Sequence, residues 1–262
     1  MELLAALRSI KVIREPLEEG VSGELIPVPD GLLARINASH TPGRQNFSIG
    51  HEISHTFFPG YKEIAYRKEK NVYWTTENAG KAKEANGEVE FLCDVGASDL
   101  LMPRAEFLKE MDRRRLSVTA ILELAELFGA SCEATTIRLV EETAAPMAVV
   151  FCHKAIKPAE RKRMEQQQTA PGTICDPKPV MRVRKIYRSS CFEGYIPPHC
   201  SVPEDSPFTR AQAGADPVEG CGLITFGSNN YFAQTLRFGV VALKPLDDRP
   251  EDQYVMGLLL QE

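Results

Sequence analysis

Apolar residues recur along this chain at two different periods, and the changes of period outline its organisation. Residues 2–8 read as a short helix, and 10–14, 23–28 and 32–37 as short β-capable runs, broken by Glu15-Pro16 and Pro29-Asp30-Gly31. A turn-rich connection over 38–43 leads through Arg44-Gln45 into a helical pattern. There Ile49, Ile53 and Phe57 fall four residues apart and predict a core-facing stripe, ended by Pro59-Gly60. Residues 61–83 are polar and dense in lysine and glutamate, with Val72-Tyr73-Trp74 as their apolar cluster. They read as a surface excursion, either a lid or a solvated loop. A second helix is expected over about 87–101, stopping before Pro103, because the residue preceding a proline is steered away from helical backbone.

Three further helices are predicted over 105–116, 117–128 and 132–142. Gly129-Ala130-Ser131 makes the turn between the last two, giving a helix-turn-helix arrangement. Pro146 opens a region of different character. Residues 147–152 form a continuous apolar run expected of a buried strand, 158–168 a charged helix and 170–179 a loop. Residues 180–188, 222–226, 231–238, 240–243 and 253–260 are expected strands, and 227–230 a hairpin turn. The proline-rich run 189–219 is expected to be irregular. The fold class is therefore α+β.

Composition narrows the setting. At 262 residues the chain suits more than one domain, and 43% hydrophobic with 26% charged residues is ordinary for a globular protein. A net charge of -5 gives no general footprint for nucleic acid or an anionic membrane. Seven cysteines, an odd number without a Cys-x-x-Cys pair, suit reduced thiols better than a disulfide framework or a cysteine zinc site. Residues 1–8 lack a basic, long-apolar signal pattern, and no apolar run approaches a membrane span, so a cytoplasmic protein is expected.

The chemistry lies in the helix around His51-Glu52-Ile53-Ser54-His55. Residues four apart share a helix face, so His51 and His55 can offer imidazoles to a single Zn²⁺. Glu52 is then placed to take a proton from water activated by that metal. The second helix offers Glu88 and Glu90, and Glu84 precedes its expected start. Glu90 has Asp94 one turn later, which suits a third ligand at Glu90 and an outer carboxylate at Asp94 that holds a ligand histidine by its other ring nitrogen. Three protein ligands leave a position open for water, as a catalytic site requires. Gly96, Ala97 and Ser98 are small enough to let the two helices approach.

Arg44-Gln45-x-Phe47-x-Ile49-x-His51-Glu52-x-x-His55, followed by Glu90-x-x-Cys93-Asp94-x-x-Ala97-Ser98-x-Leu100-Leu101-Met102-Pro103, resembles the ImmA/IrrE family of zinc metallopeptidases. The resemblance implies a zincin-like metallopeptidase core over about 1–104 with a small antiparallel sheet, ligands at His51, His55 and Glu90, and a general base at Glu52. Asp94 stands where many members carry asparagine. A helix-turn-helix-like segment over 105–145 and a C-terminal α+β domain over 146–262, GAF-like and sensory, are also implied, with a small-molecule signal as its ligand. So is the substrate, a helix-turn-helix transcriptional repressor cut in response to stress or mobile-element signals. Zn²⁺ is the expected metal, with Mn²⁺ as another divalent option.

Competing readings come from other features. More than half the chain is non-catalytic, which also suits a regulatory protein that sequesters a repressor without cutting it. A DNA reader using 117–142 is disfavoured, since the last helix carries Glu133, Glu141 and Glu142 against one Arg138. The strand at 32–37, taken as a sheet edge, either pairs with an extended peptide or only packs. Tyr61, Tyr66 and Tyr73 are candidate oxyanion partners. Cys93, one turn after Glu90, either approaches the metal or fills the core. His199-Cys200 is a weak metal signal, Arg113-Arg114-Arg115 a solvated helix end or a dock for an acidic partner, and His40 and His153 are read as structural.

Overall fold

A computed structural model describes residues 1–61, 66–69, 85–167, 178–214, 216–227, 231–243 and 254–261. Two compact units are present. One comprises Met1–Arg115 with Leu122–Thr135, the other Leu116–Ile121 with Thr136–Glu262. Among the described residues no helix is long and apolar enough to cross a membrane.

In the first unit, helix α1 (Glu2–Leu7) precedes strands β1 (Ile10–Glu15), β2 (Val21–Val28) and β3 (Gly31–Asn37), then helix α2 (Pro42–His55), strand β4 (Tyr66–Glu69) and helix α3 (Ala85–Leu101). The sheet order is β1-β3-β2-β4. β1 runs parallel to β3, so the sheet is mixed, not antiparallel as expected; β2 is antiparallel to both β3 and β4. The strand expected at an edge, 32–37, is interior. β3 is paired on both sides, and its backbone has no free edge for a peptide. Its alternating pattern sends Leu32, Ala34 and Ile36 into a core shared with Ala5, Ile10, Leu25, Ile49 and Ile53. On the opposite face Arg35 pairs with Glu15 and Glu24 from the flanking strands.

Helix α2 begins at Pro42, whose fixed φ and missing N–H suit a first helical position. It ends at His55, two residues short of the predicted stripe. Phe57 therefore leaves the core face and is 59% exposed, with the Arg8 guanidinium 5.0 Å from its ring centre. Arg8 also donates to the Thr56 carbonyl at 2.7 Å and hydroxyl at 2.9 Å, closing the C-terminal end of the helix. The stretch 61–83 is not only a surface excursion, since 66–69 form β4 and pair with β2; 62–65 and 70–83 lie outside the described residues.

Helices α5 (Val118–Phe128) and α6 (Cys132–Glu142) follow close to expectation, whereas α4 (Arg104–Asp112) stops four residues short of the expected 116, so Arg113–Arg115 follow its end. Both α5 and α6 are divided between the two units. The Arg113–Arg115 end is solvated in part: Arg113 and Arg114 both pair with Glu110, and Arg114 also with Glu123.

The second unit is a five-stranded, wholly antiparallel sheet ordered β6-β5-β9-β8-β7. Its strands are β5 (Met147–Ala155), β6 (Val180–Arg188), β7 (Val218–Phe226), β8 (Phe232–Ala242) and β9 (Val255–Leu260), with helices α7 (Pro158–Gln167) and α8 (Pro207–Ala213). β9 is central and all of its residues are buried, which explains its unbroken apolar sequence. Two expectations fail here. The runs predicted at 231–238 and 240–243 are one strand, because Gly239 pairs with both Glu219 and Leu258 and the ladder continues through it. The run at 189–219 is not simply irregular. Residues 199–202 lie along β6 through His199 N–H to Val183 O, Val183 N–H to Cys200 O and Val202 N–H to Met181 O. Ser206 then caps α8 by accepting from the Thr209 N–H, with Pro207 in the first turn, and Phe208 and Ala211 enter the core. Residues 170–177 of the loop expected at 170–179, and 228–230 of the hairpin turn expected at 227–230, lie outside the described residues.

Candidate metal centre

The centre lies between α2 and α3, and small residues set the helix spacing. A Cβ on Gly50 would sit 3.2 Å from the Ala97 Cα, and one on Gly96 would sit 2.6 Å from the Ser54 hydroxyl oxygen. Side chains at either glycine would push the helices apart. Ser54 is turned inward and donates to the Gly50 carbonyl at 2.8 Å, one turn back.

The residues singled out at the amino end of α2 anchor it. Gly43 packs so closely on the Ala130–Ser131 backbone that a Cβ would meet it at 2.6–2.8 Å, and the Asn46 amide donates to the Gly129 carbonyl at 2.9 Å. Gln45 donates to the His40 carbonyl at 2.6 Å. Arg44 donates to the Ser22 hydroxyl at 2.8 Å, at the place where the pairing of β2 with β4 shifts between Val21 and Gly23. The Asn37 amide holds the Val21 carbonyl at 2.7 Å beside it. This bulged stretch of β2 is thereby fixed against α2.

Gly23, just past the bulge, leaves space for the Glu52 carboxylate: a Cβ there would lie 2.7 Å from Glu52 Oε1. His51, Glu52 and His55 are all buried. The two imidazole rings meet edge-on, centres 4.8 Å apart and planes at 80°, with their Nε2 atoms 3.1 Å apart. Glu90 comes from α3 to both, Oε2 3.0 Å from His51 Nε2 and Oε1 3.5 Å from His55 Nε2. Its side chain remains 30% exposed, whereas both histidines are sealed from solvent. Asp94 Oδ1 is 2.9 Å from His51 Nδ1, on the far edge of that ring.

Three of these distances test the fit to a metal. Donors bound to one tetrahedral ion at zinc-like bond lengths lie about 3.3 Å apart. The observed 3.0, 3.1 and 3.5 Å among two imidazole nitrogens and a carboxylate match that spacing and chemistry. A second donor set, His51, His55 and Cys93, has its ligand atoms within 4.8 Å. Its sulfur, however, lies 3.3 Å from His55 Nδ1, on the edge of the ring away from the Nε2 cluster. The Glu90 set brings all three donors to one point and is the better fit.

A protein-family model for the IrrE N-terminal-like domain matches residues 7–140, more than half of the chain. The chain belongs to the ImmA/IrrE family of metallopeptidases. Within this family, the radiation response metalloprotease IrrE of Deinococcus radiodurans is 24% identical over 200 residues, covering 76% of this chain and 57% of that relative. Its counterpart from Deinococcus deserti is 30% identical over 125 residues, covering 47% of this chain and 41% of the relative. The chain thus spans about half the length of the curated relatives it matches. A solved Mycobacterium tuberculosis transcriptional regulator shares the fold over 99% of this chain and 78% of its own, with a TM-score of 0.52 at 14% identity.

Other residues named from sequence fall elsewhere. Tyr61 is half-buried against the first unit's core, while Tyr73 and the side chain of Tyr66 lie outside the described residues. His199 and Cys200 line a cavity of about 310 Å³ in the second unit, with Lys157, Arg182 and Tyr231. Burial pushes the Cys200 thiol up to about 11, against the lowering pull of its backbone hydrogen bond and Arg182. His153 stacks on Tyr254, consistent with a packing role. Two features escaped sequence reading, the Gly23 space and the contact of Cys93 with His55. A lone glycine inside a β-patterned run is the signal for the first, since it marks a bulge or a close approach.

Proposed function

We propose that this chain is a zinc-dependent endopeptidase of the HExxH type with a zincin-like core, in which His51, His55 and Glu90 hold the metal and Glu52 is the general base. The observation that carries this reading is the convergence of the two Nε2 atoms and the Glu90 carboxylate at 3.0–3.5 Å. When bound there, zinc supplies Lewis acidity, bringing a water toward a pKa of about 7 and polarising a peptide carbonyl. Glu52, held in the space left by Gly23, accepts the proton of the attacking water and passes it to the departing amine. The Asp94 carboxylate takes the Nδ1–H of His51, which keeps the Nε2 lone pair toward the centre.

The substrate in this reading is a protein, a helix-turn-helix transcriptional repressor, whose cleavage relieves repression during a stress or mobile-element response in the cytoplasm. Direct DNA reading by α6 is disfavoured further by Arg138, its one basic residue, which is buried beside Glu142 at 3.7 Å. The second unit serves as a GAF-like sensory module. Its antiparallel sheet and the cavity lined by Lys157 and Arg182 favour a small signal ligand.

The test is Glu52→Gln in the full chain, co-expressed with each repressor encoded nearby. Zinc content should stay stoichiometric while appearance of the shortened repressor slows by about 10²–10⁴-fold. If derepression persists in that variant, the chain acts by sequestering its partner. A purified wild type that retains no stoichiometric zinc removes the metal reading at an earlier step.

A further inference from the structure

One turn of α3 presents three side chains to the histidines, each at a different atom. Glu90 faces both Nε2 atoms, Asp94 meets His51 Nδ1 at 2.9 Å, and Cys93 meets His55 Nδ1 with its sulfur at 3.3 Å. Positions i, i+3 and i+4 lie on one helix face, so the spacing Glu90, Cys93, Asp94 suffices to bring all three to α2. We propose that Cys93 is a positioning residue for His55: its sulfur accepts the His55 Nδ1–H and so fixes the ring with the Nε2 lone pair toward His51 and Glu90. This rests on the reading of His51, His55 and Glu90 as metal ligands.

A neutral imidazole carries a single proton on one of two nitrogens, and the partner of one nitrogen decides what the other can do. His55 is sealed from solvent and Cys93 is fully buried, so no bulk water competes for Nδ1. With Cys93 as acceptor, the proton stays on Nδ1 and the Nε2 lone pair faces His51 Nε2 and Glu90. Cys93 is poorly placed to act as a ligand itself. Its sulfur lies against Nδ1, and a ring that gives Nε2 to an ion cannot give Nδ1 to the same ion. The two histidines are thus held alike in geometry and differently in strength. His51 is held by a carboxylate oxygen, and His55 by a weak sulfur acceptor.

The test measures Zn²⁺ affinity of the full chain by competition with a chromophoric chelator, for the wild type and for Cys93→Ala, Cys93→Ser and Cys93→Val. Outer-shell partners of ligand histidines typically contribute about 10- to 100-fold in metal affinity, and Cys93→Ala should lose a factor in that range. Cys93→Ser, whose hydroxyl accepts the same N–H, should recover most of it. Cys93→Val, which restores volume without an acceptor, should not. The Co²⁺-loaded wild type should show no thiolate-to-cobalt charge-transfer band. Equal affinities for wild type and Cys93→Ala, or equal recovery by valine and serine, would overturn the positioning role while leaving the metal site intact. A charge-transfer band that disappears in Cys93→Ala would make Cys93 a ligand and overturn it too. A wild type that binds neither Zn²⁺ nor Co²⁺ stoichiometrically sinks the metal reading and this inference together.

Discussion

Gly23 in the first unit and Gly257 in the second both sit in strands where a neighbouring side chain occupies the place of the missing Cβ. The occupant beside Gly23 is the Glu52 carboxylate; beside Gly257 it is the ring of Phe208, itself fully buried. The same device houses a polar side chain in one case and a packed ring in the other. Around Glu52 the fold keeps polar atoms buried: His51 and His55 meet Glu90, Cys93 and Asp94 atom by atom. Around Phe208 the second unit buries an apolar cluster that includes Val150, Val183, Phe226, Phe232, Val240 and Leu259. Crowding the first glycine should therefore disable chemistry, and crowding the second should weaken the fold.

The largest effect is expected at Gly23. Gly23→Ala displaces the Glu52 carboxylate, and a misplacement approaching 1 Å costs about 10²-fold in rate. Peptidase activity should fall by about that factor, while Zn²⁺ stoichiometry and the urea midpoint stay near wild type. A loss of stability as large as the loss of rate would erase the contrast between the units. Gly257→Ala should act the other way, lowering unfolding free energy by roughly 1–3 kcal/mol as Phe208 is forced from its site, with Zn²⁺ affinity unchanged. Chemical denaturation monitored alongside chelator competition checks both halves.

The smallest effect concerns the thiols of the second unit. Burial raises the Cys200 thiol from its ordinary 9.0 to about 11 and pushes fully buried Cys152 well above the ordinary value. Between pH 9 and 11 the folded protein therefore holds more protons than the unfolded chain. Their contribution to stability is fully present below about pH 9 and is lost as pH rises through the folded values. Urea midpoints at pH 8 and pH 10 should differ less in Cys200→Ser than in the wild type; equal differences would mean that burial does not govern this thiol.

The same contrast explains what could be read from the residues. That His51, His55, Glu90 and Asp94 come together is legible in the residues, because helical spacing places His51 with His55, and Glu90 with Asp94, on one face of each helix. Pairing order is not displayed that way. The run 32–37 alternates as any half-buried strand does, and nothing local tells that β1 and β2 cover both its edges. Gly239 looks like a break because it lacks a side chain, yet a ladder is made of backbone groups and passes through it. Ser206-Pro207 did carry a local helix-start signal, obscured by the prolines around it. Phe57 continued the stripe of Ile49 and Ile53 by arithmetic alone, but the helix stops at His55.

The single turn of α3 that carries Glu90, Cys93 and Asp94 has an evolutionary and engineering corollary. Successive helix positions are rotated by about 100°, so inserting or deleting one residue between Asp94 and Gly96 would swing all three side chains together, relative to the small residues that seat the helix on α2. Point changes can grade this centre, weakening one contact at a time. A change of length inside the helix moves all three contacts at once.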